Sequence, residues 1–134
     1  MEAFRLHVYV CTQQKPGDIP SCTRCGSEAV LEKLREEVQN RGLMNDVHIT
    51  TCGSLGLCEL GPNMVVYPEG IWYSGVQLED VPEIAEQHFQ NGKVVERLAW
   101  KDAGELRKTI LETIRKMRAA MALLMPTGVS AKPR

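Results

Sequence analysis

No stretch of the 134-residue chain approaches the ~18 consecutive apolar residues that a bilayer-spanning helix needs, so membrane insertion is not expected. The opening residues, MEAFRLHVYV, lack a cationic lead followed by an apolar run and a small-residue cleavage site. No secretion signal is therefore expected, and the cytoplasm is the default location. Thiols stay reduced there and disulfides are rare. The cysteines number five, an odd count that also excludes a fully paired disulfide framework. Internal repeats and low-complexity segments are absent, and one compact domain is the default expectation at this length. There is little net charge, −1 overall, but it is unevenly spread. Residues 1–100 hold 8 Lys/Arg and 14 Asp/Glu, a balance of −6, whereas residues 101–134 hold 8 and 3, a balance of +5. The acidic body suits docking to a basic protein surface and disfavours nucleic acid.

What is present is a mixed pattern of strands and helices. Phe4, Leu6, Val8 and Val10 alternate with Arg5, His7 and Tyr9, the period of a strand. Residues 11–26 carry Lys15-Pro16-Gly17-Asp18 and Pro20 and read as a loop. Ser27 is placed to cap a helix whose stripe is Val30, Leu31, Leu34 and Val38, with Gly42 as its stop. Val47 to Thr51 reads as a second strand. Met64 to Tyr67 and Ile71 to Ser74 form a hairpin about Pro68-Glu69-Gly70. Asp80 and Pro82 open a second helix with Ile84, Ala85, His88 and Phe89 inward and Asn91-Gly92 at its end; Val94 to Trp100 reads as extended. The order is β-α-β followed by β-β-α, with a parallel, right-handed first half. The expected fold is α/β and thioredoxin-like, one sheet with flanking helices and an added C-terminal helix. Gly61-Pro62 stands just before the hairpin, where that fold sets a proline facing its active-site loop.

The cysteines all lie at element ends or in loops. Cys11 closes the first strand, Cys22 and Cys25 precede the first helix, and Cys52 and Cys58 bracket a loop containing Gly53 and Gly56. Loops after strand one, at the start of helix one and before the hairpin converge at one end of such a sheet. Four convergent thiolates suit an iron–sulfur cluster, since soft sulfur matches iron, and nearby backbone N–H groups tune it. Zinc knuckles normally come as two Cys-x2–4-Cys pairs, and only Cys22/Cys25 forms one. Cys-Thr-Arg-Cys at a helix start also fits a thioredoxin-type thiol–disulfide oxidoreductase, which leaves Cys11, Cys52 and Cys58 without a role.

Several segments together resemble the bacterial thioredoxin-like 2Fe–2S ferredoxins, the Shethna-type family. They are His7-Val8-Tyr9-Val10-Cys11, Ser21-Cys22 before Gly26-Ser27, and Gly56-Leu57-Cys58-Glu59-Leu60-Gly61-Pro62. The likeness continues through Val65-Val66-Tyr67-Pro68-Glu69-Gly70-Ile71-Trp72-Tyr73, Glu79-Asp80-Val81-Pro82-Glu83-Ile84, His88, Asn91-Gly92 and Val94-Val95-Glu96-Arg97-Leu98. It spans residues 4–100. It implies a one-electron carrier, not an enzyme, which holds a 2Fe–2S cluster, forms a homodimer and exchanges electrons with redox proteins. It implies Cys11, Cys22 and Cys58 as ligands. The family's further cysteine, four residues before Cys58, is Ser54 in this chain, and Cys52 lies two residues earlier. Cys52 is taken as the fourth ligand, with Ser54 and Cys25 as alternatives. Cys11 and Cys22 are expected on one iron, Cys52 and Cys58 on the other.

The dimer contact is expected at the sheet edge or hairpin near Trp72, with one of Trp72 and Tyr73 facing out. His7 and His48 are expected to face solvent and His88 to sit at a helix end, none of them a metal ligand. Residues 101–134 form a second unit. Leu106, Ile110, Ile114, Met117, Met121 and Leu124 make a narrow heptad-like seam flanked by Arg107, Lys108, Arg115, Lys116 and Arg118, up to Pro126. A narrow seam packs on another helix; the readings are folding back on its own domain, pairing with its copy, or a docking arm for a redox partner. Bulky aromatic anchors for a membrane surface are missing.

Overall fold

The computed structural model describes residues 3–12, 26–53, 55, 57 and 60–124. Cys22, Cys25, Ser54, Gly56, Cys58 and Glu59 lie outside the described residues. The elements are strand β1 (Leu6–Cys11), helix α1 (Ser27–Asn40), β2 (Val47–Cys52), β3 (Met64–Tyr67) and β4 (Ile71–Tyr73). A 3-10 turn over Leu78–Asp80 then leads into α2 (Val81–Ile84), which widens into a π-turn over Ala85–Gln90; α3 spans Ala103–Leu124. The sheet order is β2-β1-β3-β4. β1 runs parallel to β2 and antiparallel to β3, and β3 is antiparallel to β4. The β-α-β then β-β-α order is as the sequence implies.

Alternation in β1 decides which face is which. Leu6, Val8 and Val10 are buried with Val47, Val66 and Tyr73 against α1 and the α2 segment. The α1 stripe Val30, Leu31, Leu34 and Val38 is buried as its spacing predicts. Each such side chain contributes about 1.5–3 kcal/mol when it leaves water. The other face carries His7 and Tyr9 on β1, His48 and Thr50 on β2, and Tyr67 on β3. Their rings form a ladder: Phe4 stacks on His48, His48 meets His7 edge-on, His7 stacks on Tyr9, and Tyr9 meets Tyr67 edge-on. His7 is half-buried and its Nε2 lies 2.8 Å from the Thr50 hydroxyl, so it is less open to solvent than expected. Trp72 is half-buried and Tyr73 buried, which matches the expectation of one facing each way.

Three local expectations are corrected. Ser27 is the first helical residue and not the cap: Gly26, at φ +91° in the left-handed region, takes that place. Ser27 Oγ is buried with no partner among the described residues. Val94 to Trp100 is not a strand. Leu98 N–H donates to Val95 C=O and Ala99 N–H to Glu96 C=O, a turn that leaves only the single bridge Tyr73–Ala99. Arg97, on that turn, reaches back to Asp80 (2.7 Å) and Glu83. Finally, Phe4 does not share the core side of β1 but stacks on His48 on the other face. His88 lies inward in the last turn of its helix, as expected. It is fully buried, with Nδ1 2.7 Å from the Tyr73 hydroxyl and Nε2 2.7 Å from Glu69 Oε1.

That last network has a fixed direction. The Glu69 carboxylate only accepts, so His88 carries a proton on Nε2 and, as the neutral imidazole, takes the Tyr73 O–H at Nδ1, while the Tyr73 oxygen accepts from Val95 N–H at 3.0 Å. His88 then donates from Nε2 to the Glu69 carboxylate. Burial, with the charges of Glu69, Glu96 and Glu83 adding, pushes the Tyr73 hydroxyl up to about 12 against the pull of Val95 N–H, so it keeps its proton.

The helix α3 is capped by Asp102, whose Oδ1 accepts from Gly104 N–H (2.7 Å) and Glu105 N–H (3.2 Å). Its residues stay outside the main core. Leu106, Ile110 and Ile114 are half-buried and Thr113 is buried; the side chains of Met117, Met121 and Leu124 lie outside the described ones. Among the described residues no helix is long and apolar enough to cross a membrane.

Candidate functional site

Cys11 and Cys52 end adjacent parallel strands in register with each other. Directly paired residues of a parallel ladder point to the same face, across a strand spacing of about 4.8 Å. The two thiols therefore share one corner of the sheet, on the face opposite the core, as the convergence of loops after strand one and before the hairpin implies. Cys11 is fully buried and Cys52 half-buried.

The corner is braced from the loop that precedes the hairpin. Cys11 N–H donates to Asn63 C=O at 3.1 Å, and Thr12 N–H donates to Cys52 C=O at 3.2 Å. Asn63, buried, donates its side-chain amide to Leu57 C=O at 2.6 Å. Leu57 is itself fully buried and is the residue before Cys58 in sequence. Leu60 N–H donates to Leu57 C=O (2.8 Å), Gly75 N–H to Leu60 C=O (2.7 Å), and Val76 N–H to Pro62 C=O (3.1 Å). The Gly61–Pro62 peptide is cis and Pro62 is buried. Asn63 is thus a tether between the Cys11 strand end and the Cys58 loop, a role that sequence reading missed. Its only sequence signal is a polar residue directly before an apolar strand.

The thiols also act on each other. Burial, and after it the proximity of Cys11, pushes the Cys52 thiol up to about 11 from its ordinary 9.0. Two thiolates side by side repel each other, which is the electrostatic condition a positive metal centre relieves. Soft, crowded sulfur donors at a braced sheet corner fit an iron–sulfur centre. Cys22, Cys25, Ser54 and Cys58 lie outside the described residues, so only Cys11 and Cys52 of the expected ligands are seen together. Ser27 Oγ, at the start of α1, is a buried donor that no described group satisfies.

One consequence is measurable. In metal-free protein, alkylation of Cys52 by iodoacetamide should be slow near neutral pH and rise to half-maximum at about pH 11. The unfolded thiol ionises near 9.0, so stability of the metal-free fold should fall as pH climbs through the window from 9.0 to about 11. Mass spectrometry of the labelled peptide reads the midpoint. A value near 9.0 would show that Cys52 is not buried beside Cys11.

No family model matches the chain. Curated relatives do. The chain is 40% identical over 94 residues to a 2Fe-2S ferredoxin of Clostridium pasteurianum, a match that takes in 69% of this chain and 92% of the relative. It is 43% identical over 95 residues to a 2Fe-2S ferredoxin of Aquifex aeolicus, 69% of this chain and 86% of the relative. Among solved structures, the thioredoxin-like [2Fe-2S] ferredoxin from Aquifex aeolicus superposes with a TM-score of 0.69 at 40% identity, covering 75% of this chain and all of that one. A cysteine-to-serine variant of the same protein superposes with a TM-score of 0.68 at 42% identity, covering 72% and 99%.

Proposed function

The chain belongs to the thioredoxin-like 2Fe-2S ferredoxins, an electron-transfer protein and not an enzyme, and we propose that Cys11, Cys22, Cys52 and Cys58 hold its cluster. When bound, the cluster takes up and releases one electron. The observation that carries the ligand set is the in-register pair Cys11–Cys52 at one sheet corner. Cys58 enters through its neighbour Leu57, tied by Asn63 to the strand end that bears Cys11. Cys22 enters by the family motif at Ser21-Cys22. The protein residues supply a buried, hydrogen-bonded corner that fixes sulfur positions and limits water, both of which set potential. The oxidoreductase reading through Cys22 and Cys25 gives way to the ferredoxin family.

The fourth ligand has a paired test. Cys52→Ala should bleach purified protein and lower its iron from about two per chain, whereas Ser54→Ala should leave the visible spectrum intact. The reverse pattern hands the position to Ser54. Bleaching by Cys25→Ala alone would reject Cys22 as the helix-start ligand.

The working form is taken as a cytoplasmic homodimer that serves redox protein partners, with the ferredoxin unit over residues 1–100 and a separate unit over 101–134. The ring ladder and half-buried Trp72 on the sheet face away from α1 support the pairing surface. Sedimentation should give a dimer at micromolar concentration, and a monomer there would reject this pairing.

A further inference from the structure

We propose that the outward side of α3 is a docking strip for an acidic redox partner protein. This inference rests on the electron-carrier reading above. Arg107, Lys108, Arg115 and Arg118 are all exposed. At 100° per residue they fall within an arc of about 100°, and along the axis they extend about 16 Å. Leu111, 50% exposed, lies in the middle of that arc. Leu106 and Thr113, better covered, lie on the opposite side, and the half-buried Ile110 and Ile114 run along the edge of the strip beside Arg107. What covers Leu106 and Thr113 faces away from the strip, whose cations stay exposed.

None of the four cations forms an ion pair among the described residues. Only Glu112 interrupts the strip, at its margin. A shallow groove of about 390 Å³ runs beside it, lined by Gly104, Arg107, Lys108, Leu111, Glu112 and Arg115. Four uncompensated cations around one apolar residue complement a carboxylate-rich surface with an apolar centre, the anatomy of a transient protein contact. A nucleic acid is the poorer fit, because a polyanion longer than the strip runs on over a body with a balance of −6. A membrane is poorer too, because the strip presents no aromatic anchor.

The test uses the full, cluster-loaded chain and a flavodoxin hydroquinone as an acidic donor. One electron passes to the chain, leaving the flavin semiquinone, and stopped-flow absorbance gives the second-order rate constant. The constant should fall at least about tenfold as salt rises from about 0.01 M to about 1 M and the Debye length shrinks from about 30 Å to about 3 Å. The combined Arg107→Gln, Lys108→Gln, Arg115→Gln and Arg118→Gln variant should lose about tenfold at low salt and become nearly salt-independent. A rate that rises with salt, or a variant as fast as the parent, overturns the proposal. Co-sedimentation with phosphatidylcholine vesicles containing phosphatidylserine, abolished in the variant, overturns it in favour of a membrane. Fluorescence anisotropy of a labelled poly-glutamate peptide needs no iron and separates the two readings. A colourless chain that binds the peptide through these residues rejects the carrier and keeps the strip. A normally coloured chain that does not bind it rejects the strip.

Discussion

Cys11→Ala should yield protein without visible absorption, its iron falling from about two per chain toward none. Cys11 closes an interior strand, is fully buried, and stands in register with Cys52. No other cysteine lies on β1, so no neighbour inherits its place without moving the strand. That strand end is held from both sides, by Asn63 C=O on Cys11 N–H and by Cys52 C=O on Thr12 N–H. Alanine keeps the backbone and removes only the sulfur, so the far-ultraviolet circular dichroism should be unchanged. If colour persists with an altered spectrum, Cys25 has swapped in, and adding Cys25→Ala should then bleach it. A Cys11→Ala protein with the parental spectrum and iron content would remove Cys11 from the site.

The second large effect is on stability. Tyr73→Phe should lower the unfolding free energy of the cluster-loaded protein by about 2–6 kcal/mol, roughly 1–3 for each buried group left unpaired. Those groups are Val95 N–H, which loses its acceptor, and His88 Nδ1, which loses its donor. Both residues are buried, so water does not replace the hydroxyl. Phenylalanine fills the same ring volume, and the loss is therefore chiefly polar. The control is Tyr67→Phe, 40% exposed on the other face, which should stay within about 0.5 kcal/mol. Urea midpoints at constant slope give both numbers. Equal costs at the two tyrosines would mean that the directed chain from Val95 to Glu69 does not form.

Local periodicity made much of this legible. Period-two alternation in Leu6–Val10 and the 3.6-residue stripe of α1 each report which side meets the core, and both are as expected, whereas Phe4, just ahead of the strand, stacks on His48 on the other face. Pro68-Glu69-Gly70 marked the hairpin, where Gly70 takes φ +72°. Partnerships between distant segments were not legible. His88 reads correctly as an inward helix-end residue, but nothing near it in sequence shows that the hairpin brings Tyr73 and Glu69 to its two nitrogens. Residues 94–100 have strand-like residues, yet Arg97 is drawn to Asp80 and Glu83 and the chain turns instead. Ser27 has the right chemistry for a cap, but the left-handed conformation at Gly26 takes the position. At the site, the cysteine positions announced a cluster of thiols, whereas the Asn63 brace depends on loop geometry that no spacing encodes.

The position of β1 between β2 and β3 also governs when the site comes into being. Leu6 pairs with Val47 and His7 with Tyr67, so both edges of β1 close over long stretches of intervening chain. Such non-local pairings carry the loop-closure entropy up front and make folding slow relative to helical hairpins. On the ribosome β1 emerges ahead of both partners and waits. Cys11 and Cys52 become neighbours only when β2 docks, and Asn63 locks the corner only when β3 follows. A nascent chain shorter than β2 therefore offers iron a Cys11 without its in-register neighbour, and the braced corner is complete only once β3 has paired.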